Sequence, residues 1–157
     1  MEQTTGTPSL GFLEAIKKAA DNILKFQGRS RRSEYWWTMA IVYIVSIFLP
    51  RIGFVLSLLT IPLTFRRLHD TGRSGWWWGA CAILQGIVIA LYVYDVFSLV
   101  SNGLYGNEEF TMWTFVLKYL LLFVVISIYR IVLIVLCCID SEPHENIYGK
   151  SPKYISQ

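Results

Sequence analysis

Apolar residues fall in three long runs that charged residues hardly interrupt. The runs cover residues 35–65, 76–94 and 112–139. Their only charged residues are Arg51, Lys118 and Arg130. A helix on the surface of a soluble domain carries a polar face opposite its apolar one, and these runs carry none. The pattern therefore predicts helices that have lipid as their solvent.

Two of the runs are long enough for one membrane span each, because a span needs about 20 apolar residues. We predict these spans at 76–100 and 112–139. The first run is ambiguous, since it could form one tilted helix of about 46 Å or a hairpin. Pro50 cannot continue a helix interior, and Arg51 is costly in lipid but not at a hairpin tip. The hairpin would consist of two short spans at 35–50 and 52–65.

The distribution of basic residues decides between these two topologies. Short cytoplasmic loops are enriched in Lys and Arg. With a hairpin, eleven of the fourteen basic residues lie on one side of the membrane; with a single helix, Arg66, Arg67 and Arg73 lie opposite the basic N-terminal segment. We therefore predict an all-α integral membrane protein, a four-span helical bundle with both termini cytoplasmic. Its single domain covers residues 10–153, and residues 140–157 form a cytoplasmic tail.

The segment before the first run predicts an amphipathic helix at 10–27. Its apolar residues recur at helical spacing, with basic residues between them. Such a helix lies on the inner leaflet with its lysines toward anionic headgroups; a soluble helix packed on the cytoplasmic loops fits the same pattern. Residues 1–9 are predicted to be a disordered tail.

The composition agrees with a membrane protein. Hydrophobic residues make up 54% of the chain and charged residues 16%, whereas soluble proteins contain about 25% charged residues. Cys81, Cys137 and Cys138 lie in or at the ends of apolar runs without the spacing of metal ligands. We therefore expect reduced cysteines that serve packing. No cofactor, metal ion or nucleic acid is expected.

Reactive polar residues are concentrated in three segments, which the four-span topology places on one face. The segments are 26–37, 66–78 and 140–152. The second is predicted to be a short charged turn at the membrane surface, between two spans. Arginine side chains bind phosphates and carboxylates through paired N–H groups, and consecutive tryptophans are typical of the membrane interface. The segments supply a candidate polar cluster of Arg29, Arg32, Glu34, Arg66, Arg67, His69, Asp70, Arg73, Ser74, Trp76, Asn146 and Gly149.

The same three segments carry a recognisable sequence pattern. It consists of Gly-Arg…Arg…Glu-aromatic-Trp, then Arg-Arg-Leu-His-Asp-x-Gly-x-Ser-Gly-Trp-Trp, then Asn-x-Tyr-Gly-x-x-Pro. In these motifs the chain resembles the YhaH-like family of small bacterial inner-membrane proteins, which is catalogued as a domain of unknown function, DUF805. The likeness extends from about residue 12 to 153. It implies a helical fold and an inner-membrane location, and it implies no activity.

Two interpretations of the polar cluster remain open. The arginines could form a structural network with Glu34 and Asp70 that ties helix ends together. Alternatively, the cluster could be a pocket for an anion, formed by Arg29, Arg32, Arg66, Arg67 and Arg73. Our leading hypothesis is a non-enzymatic membrane module whose cytoplasmic face binds anionic phospholipid headgroups or a partner protein. A second copy of the chain could be that partner.

Two other functions start from single features of the sequence. Arg130 lies about ten residues before Asp140, inside the last predicted span, where a charge is costly and often functional. It would serve a small transporter or channel. His69 and Asp70 are adjacent and would supply a general base to a membrane-embedded hydrolase or transferase. Adjacent side chains seldom face each other, so an enzyme is the less favoured interpretation.

Overall fold

A computed structural model describes residues 4–102 and 112–156 of the chain. Within these ranges the protein is helical, as predicted, apart from two strands of three residues each. The elements in chain order are β1 (Thr4–Gly6), α1 (Phe12–Asp21), α2 (Arg32–Phe48), α3 (Pro50–Leu59), α4 (Ile61–Asp70), α5 (Trp76–Asn102), α6 (Met112–Cys138) and β2 (Tyr154–Ser156).

The first apolar run is broken at Pro50 and folds back on itself. α2 ends at Phe48, and Leu49 leaves the helical region with φ −133° and ψ 72°. Pro50 then opens α3, where its missing N–H costs no helical hydrogen bond. α3 packs closely against α2, since a Cβ on Gly53 would overlap the backbone and side chain of Ser46. The segment is therefore a tight hairpin and not one continuous helix.

The returning arm of the hairpin consists of two helices, where the sequence predicted one span at 52–65. α3 ends at Leu59, and α4 begins at Ile61. Pro62 lies in the first turn of α4 and cannot donate to the carbonyl four residues earlier, which accounts for the break. α4 then continues beyond Phe65 to Asp70 and buries its polar residues. The charged segment expected at the surface as a turn is thus the buried end of a helix.

α5 and α6 are 27 residues long and apolar along their length. Within the described ranges, they are the two helices long and apolar enough to cross a membrane. Residues 78–134 of these helices form a compact unit of their own. In that unit Lys118 pairs with Asp95 at 2.6 Å, and the rings of Tyr92, Phe115 and Tyr119 pack together.

The other compact unit comprises residues up to 77 and from 135 onward. Its N-terminal helix α1 is shorter than the predicted 10–27, and it buries Ala15 and Ala19 as it packs on α2. The predicted disordered tail at 1–9 differs from the structure, because β1 pairs antiparallel with β2. Thr7 continues this connection by donating from its hydroxyl to the carbonyl of Lys153 at 2.8 Å. Residues 1–3 of that tail lie outside the described residues.

Two glycine-to-alanine substitutions test the close packing of α2 and α3. We expect Gly53→Ala to lower the melting temperature of the purified protein, because its new methyl group overlaps Ser46 and overpacking costs about 1–3 kcal/mol. Gly86→Ala in α5 meets no atom within 4 Å. It should leave the melting temperature unchanged or raise it, since Ala is the better helix former. Equal melting temperatures for the two variants would contradict the hairpin packing.

Candidate functional site

Asp70, the last residue of α4, is the centre of a buried polar network. Its side chain is 0% exposed. It accepts hydrogen bonds from Arg29 Nε at 3.0 Å, from Arg67 Nη1 at 2.5 Å and from the hydroxyl of Ser141. These donors come from the loop before α2, from α4 itself and from the segment after α6. We call Asp70, Arg29, Arg67 and Ser141 the Asp70 cluster.

Arg29 uses all five of its N–H donors inside the protein. One bond goes to the Asp70 carboxylate, and the other four go to backbone carbonyls. The carbonyl acceptors, at 2.6–3.2 Å, belong to Asp70, Glu142, His144 and Gly149. Because every donor already has an acceptor within the protein, no part of this guanidinium is available to an external anion. Arg29 fixes the path of the chain after α6.

Arg67 has a similar role on the other side of Asp70. Its side chain is 0% exposed. Besides Asp70, it donates to the carbonyls of Cys137 at 3.0 Å, Ser30 at 3.2 Å and Ile139. It therefore joins the end of α6 to the start of α2 through α4. Such contacts satisfy carbonyls at a helix C-terminus that otherwise lack partners.

Glu34 and Arg66 form a second buried pair that is poorly satisfied. Glu34 Oε1 lies 3.6 Å from Arg66 Nη1, and Lys18 Nζ of α1 lies 3.9 Å from Glu34 Oε2. Five buried atoms here have no hydrogen-bond partner among the described residues. They are Ser30 Oγ, both Glu34 carboxylate oxygens, and Arg66 Nε and Nη2. Unsatisfied buried groups are rare in proteins, so this pair differs in kind from the Asp70 cluster.

His69 lies beside the Asp70 cluster, and its side chain does not contact the Asp70 carboxylate. Its ring stacks on Tyr148, with centroids 3.8 Å apart and planes 2° apart. Its Nδ1 lies 3.2 Å from the carbonyl of Gly28, and its own carbonyl accepts a bond from Asn146 at 3.0 Å. Since the two adjacent side chains bind different partners, they do not form the base-and-carboxylate pair that the hydrolase or transferase hypothesis requires.

Position 72, just after α4, requires a glycine. Gly72 has φ +70°, a conformation that L side chains rarely adopt. A Cβ at this position would also overlap the carboxylate of Glu142, which accepts a 2.8 Å bond from Asn146. The tight turn thus lets the segment after α6 lie against the end of α4.

Burial sets the direction of the pKa shifts in this region. Burial raises the pKa of the Asp70 carboxyl, against the lowering effect of Ser141, Arg67 and Arg29. Burial also raises the pKa of Glu34, with Arg66 as the strongest opposing group. For His69, burial lowers the pKa and favours the neutral ring. A neutral ring can donate from Nδ1 to the Gly28 carbonyl, as the geometry requires.

Four residues of the predicted cluster lie outside the buried network. Arg32 and Trp76 are exposed. Arg73 is half-buried and donates to the carbonyl of Thr71 at 3.2 Å. Ser74 Oγ accepts from Trp76 N at 3.3 Å, at the start of α5. Arg130, the predicted intramembrane charge, is exposed on α6 in the unit of residues 78–134.

The structure also forms a basic pocket that sequence reasoning missed. The cavity measures about 500 Å³ and lies at the start of α2. We use the name basic pocket for the cavity lined by Thr7, Ser9, Arg31, Arg32, Ser33, Trp36, Trp37, Ala40, Asp140, Ser141 and Lys153. Of the predicted anion-binding arginines only Arg32 lines it. Arg31 and Lys153 carried no sequence signal beyond their charge, because the contact between the two ends of the chain brings them together.

The match to known proteins identifies the family. The family model described as "Protein of unknown function (DUF805)" matches residues 48–150. The chain belongs to the DUF805 family. The matched range includes Arg67, Asp70 and Ser141, whereas Arg29 and the basic pocket's Arg32 precede it.

Two curated members indicate where this DUF805 protein resides. It is similar to the inner membrane protein YhaI of Escherichia coli K12, with 31% identity over 117 residues that cover 62% of this chain and 92% of YhaI. It is also similar to the inner membrane protein YhaH of the same organism, with 33% identity over 79 residues that cover 38% of this chain and 65% of YhaH. No solved structure matches the chain. The DUF805 chain is an inner-membrane protein with transmembrane helices.

The Asp70 cluster predicts a large difference between two aspartate substitutions. We expect Asp70→Ala to destabilise the protein by about 3–5 kcal/mol, because it leaves two buried guanidinium groups without their counter-charge. The comparison is Asp140→Ala, which removes a partly exposed pair with Lys153. It should cost no more than about 1 kcal/mol. Thermal unfolding in detergent measures both, and a fully stable Asp70→Ala variant would show that the cluster does not hold the fold.

Proposed function

We propose that this protein is a non-enzymatic membrane module whose basic pocket binds the headgroup of an anionic phospholipid at the cytoplasmic face. The observation that carries the proposal is the composition of that pocket. Three basic side chains, Arg31, Arg32 and Lys153, line a cavity of about 500 Å³ together with two tryptophans. Phosphate groups bind arginine through paired charge-assisted hydrogen bonds. The pocket thus offers what a phosphate ester needs.

The start of α2 adds to the positive potential of the pocket. α2 is 17 residues long, and its N-cap Arg31 makes no side-chain capping bond. Its first backbone N–H groups therefore receive no cap from Arg31, and they belong to residues that line the pocket at the positive end of the helix dipole. Helix N-termini with this arrangement bind phosphate readily. Arg32, the first residue of the helix, is exposed and free to reach a ligand.

Trp36 and Trp37 support a headgroup rather than a soluble anion. Both side chains are exposed large aromatics on the first turns of α2. Tryptophan is enriched at the boundary between headgroups and hydrocarbon. A pocket whose wall contains such residues lies at the level of the lipid phosphates.

Asp140 competes with a bound anion for Lys153. It pairs with Lys153; this contact raises the pKa of Lys153 and lowers the pKa of Asp140. Both groups are therefore charged at neutral pH. A bound phosphate would share Lys153 with Asp140, so Arg32 is the basic residue on which binding depends most.

The proposal includes four membrane spans with both termini cytoplasmic. The Asp70 cluster supports this topology, because it brings together the loop before α2, the end of α4 and the segment after α6. Segments in contact lie on one side of the membrane, so the chain between them crosses an even number of times. The hairpin arms are short, and local thinning of the bilayer accommodates them at modest cost.

The lipid proposal predicts the effect of one charge reversal. Arg32→Glu should reduce the preference for phosphatidylglycerol over phosphatidylcholine by about tenfold, since each basic group near an anionic surface contributes about 1 kcal/mol and this substitution also adds an opposing charge. Lipids retained after gentle detergent extraction, quantified by mass spectrometry, measure the preference. The matched control is Arg51→Glu, an exposed arginine at the hairpin tip.

Two results would count against lipid binding. One is an unchanged lipid preference in Arg32→Glu. The other is retention of a protein, including a second copy of the chain, at the expense of lipid, which would favour the partner-binding alternative. Normal membrane insertion of both variants is the control for folding.

The topology predicts different labelling of two introduced cysteines. In intact cells, an impermeant maleimide should modify Arg51→Cys at the hairpin tip, whereas Lys150→Cys should react only after lysis. The unsubstituted protein, with its three native cysteines, gives the background. Protection of Arg51→Cys in intact cells together with labelling of Lys150→Cys would reverse the orientation and remove the cytoplasmic pocket.

A further inference from the structure

A second cavity lies on a different face of α2 from the basic pocket. It measures about 160 Å³, and its walls come from α1, α2, α3 and the start of α4. Ala19 and Ala20 of α1 leave the space open, since longer side chains at these positions would fill it. Across from them lie Ile41 and Val42 of α2 and Leu56 of α3. We call this cavity the apolar crevice.

The crevice has no free hydroxyl donor for a ligand or for water. Its two hydroxyl-bearing residues are Thr38 and Thr60. The hydroxyl of Thr38 donates to the carbonyl of Glu34 at 2.8 Å, and that of Thr60 donates to the carbonyl of Ser57 at 2.7 Å. Both are thus satisfied within their own helices. Water enters a cavity only where it finds polar partners, so the space suits a hydrocarbon.

Along α2 and α4, the crevice lies about one helical turn from the buried charged residues Glu34 and Arg66, on the side that the proposed topology places toward the hydrocarbon. On α2, Thr38 follows Glu34 by one turn, and on α4, Leu63 precedes Arg66 by about one turn. Lys18 marks the same charged level on α1, where its Nζ lies 3.9 Å from Glu34. Its side chain remains 39% exposed. An occupant of the crevice would therefore carry its polar end beside a lysine.

We infer that the apolar crevice binds one acyl chain of an anionic phospholipid from the cytoplasmic leaflet, with its headgroup beside Lys18. A helix of a partner is about 10–12 Å wide with its side chains, too wide for about 160 Å³. An unbranched chain is narrow enough. The positive charge of Lys18 and the neighbouring exposed Lys17 complements an anionic headgroup. The inference rests on the proposed topology, which places α1 on the cytoplasmic leaflet.

Photo-cross-linking of the full chain in vesicles tests this inference. The vesicles contain phosphatidylglycerol and phosphatidylcholine, with a trace of phosphatidylglycerol that carries a diazirine on its acyl chain. We expect labelled peptides from Ile16–Ile23 and Thr38–Val42. In Ala20→Leu, whose alanine is exposed and tolerates a larger side chain, the label on these peptides should fall at least about fivefold, because the added carbons occupy the crevice. Ala80→Leu, at an exposed alanine of α5, is the matched control and should leave the label unchanged.

Four outcomes would overturn the inference. They are absent labelling of both peptides, labelling that Ala20→Leu does not reduce, equal labelling by a phosphatidylcholine analogue, and chain-to-chain cross-links through α1 instead of lipid. Arg32→Glu separates the two proposals. It should weaken the headgroup preference of the basic pocket and leave crevice labelling intact, so the failure of one proposal is distinguishable from the failure of the other.

Discussion

The fold of this protein depends on one buried carboxylate that faces two buried guanidinium groups. Removing ions from water costs several kcal/mol each, and their mutual attraction rarely compensates unless the remaining donors are also bonded. Arg29 and Arg67 meet this condition, because nearly every N–H that Asp70 does not accept is bonded to a backbone carbonyl. The carboxylate offsets one of the two positive charges, and the carbonyls replace the lost water. The loop before α2, the end of α4 and the segment after α6 are thereby held together.

The two buried charge clusters illustrate different uses of burial. The Asp70 cluster is closely bonded and defines a single geometry, which suits a structural role. The Glu34–Arg66 pair leaves four of its polar atoms without hydrogen-bond partners in the described part of the chain, although it lies only about one turn away from Asp70. Such a pair contributes little net stability for its cost in desolvation. Lys18 connects it to α1.

The sequence predicted the parts of the structure that local chemistry determines. Pro50 breaks the first apolar run, apolar composition predicts α5 and α6, and charge segregation favours a common side for the polar segments. The sequence predicts an exposed turn at residues 66–70, because charged residues normally mark contact with water, and the structure shows that this prediction is wrong. The burial of this segment depends on carbonyls from distant residues, and a carbonyl is present in every residue and leaves no pattern in the sequence. The basic pocket escaped notice for a related reason, since Arg32 and Lys153 meet only through tertiary contacts.

The reliance on carbonyl acceptors has a consequence for how the segment after α6 can vary. Arg29 and Arg67 recognise the backbone there, at Cys137, Ile139, Glu142, His144 and Gly149. Ile139 and His144 are exposed and their side chains do not take part in those bonds, so these two positions are open to replacement as long as the chain keeps its course. Ser141 and Gly149 are constrained, the first by its hydroxyl on Asp70 and the second by φ +117°. Homologous proteins can therefore vary at these exposed positions and still assemble the same buried junction.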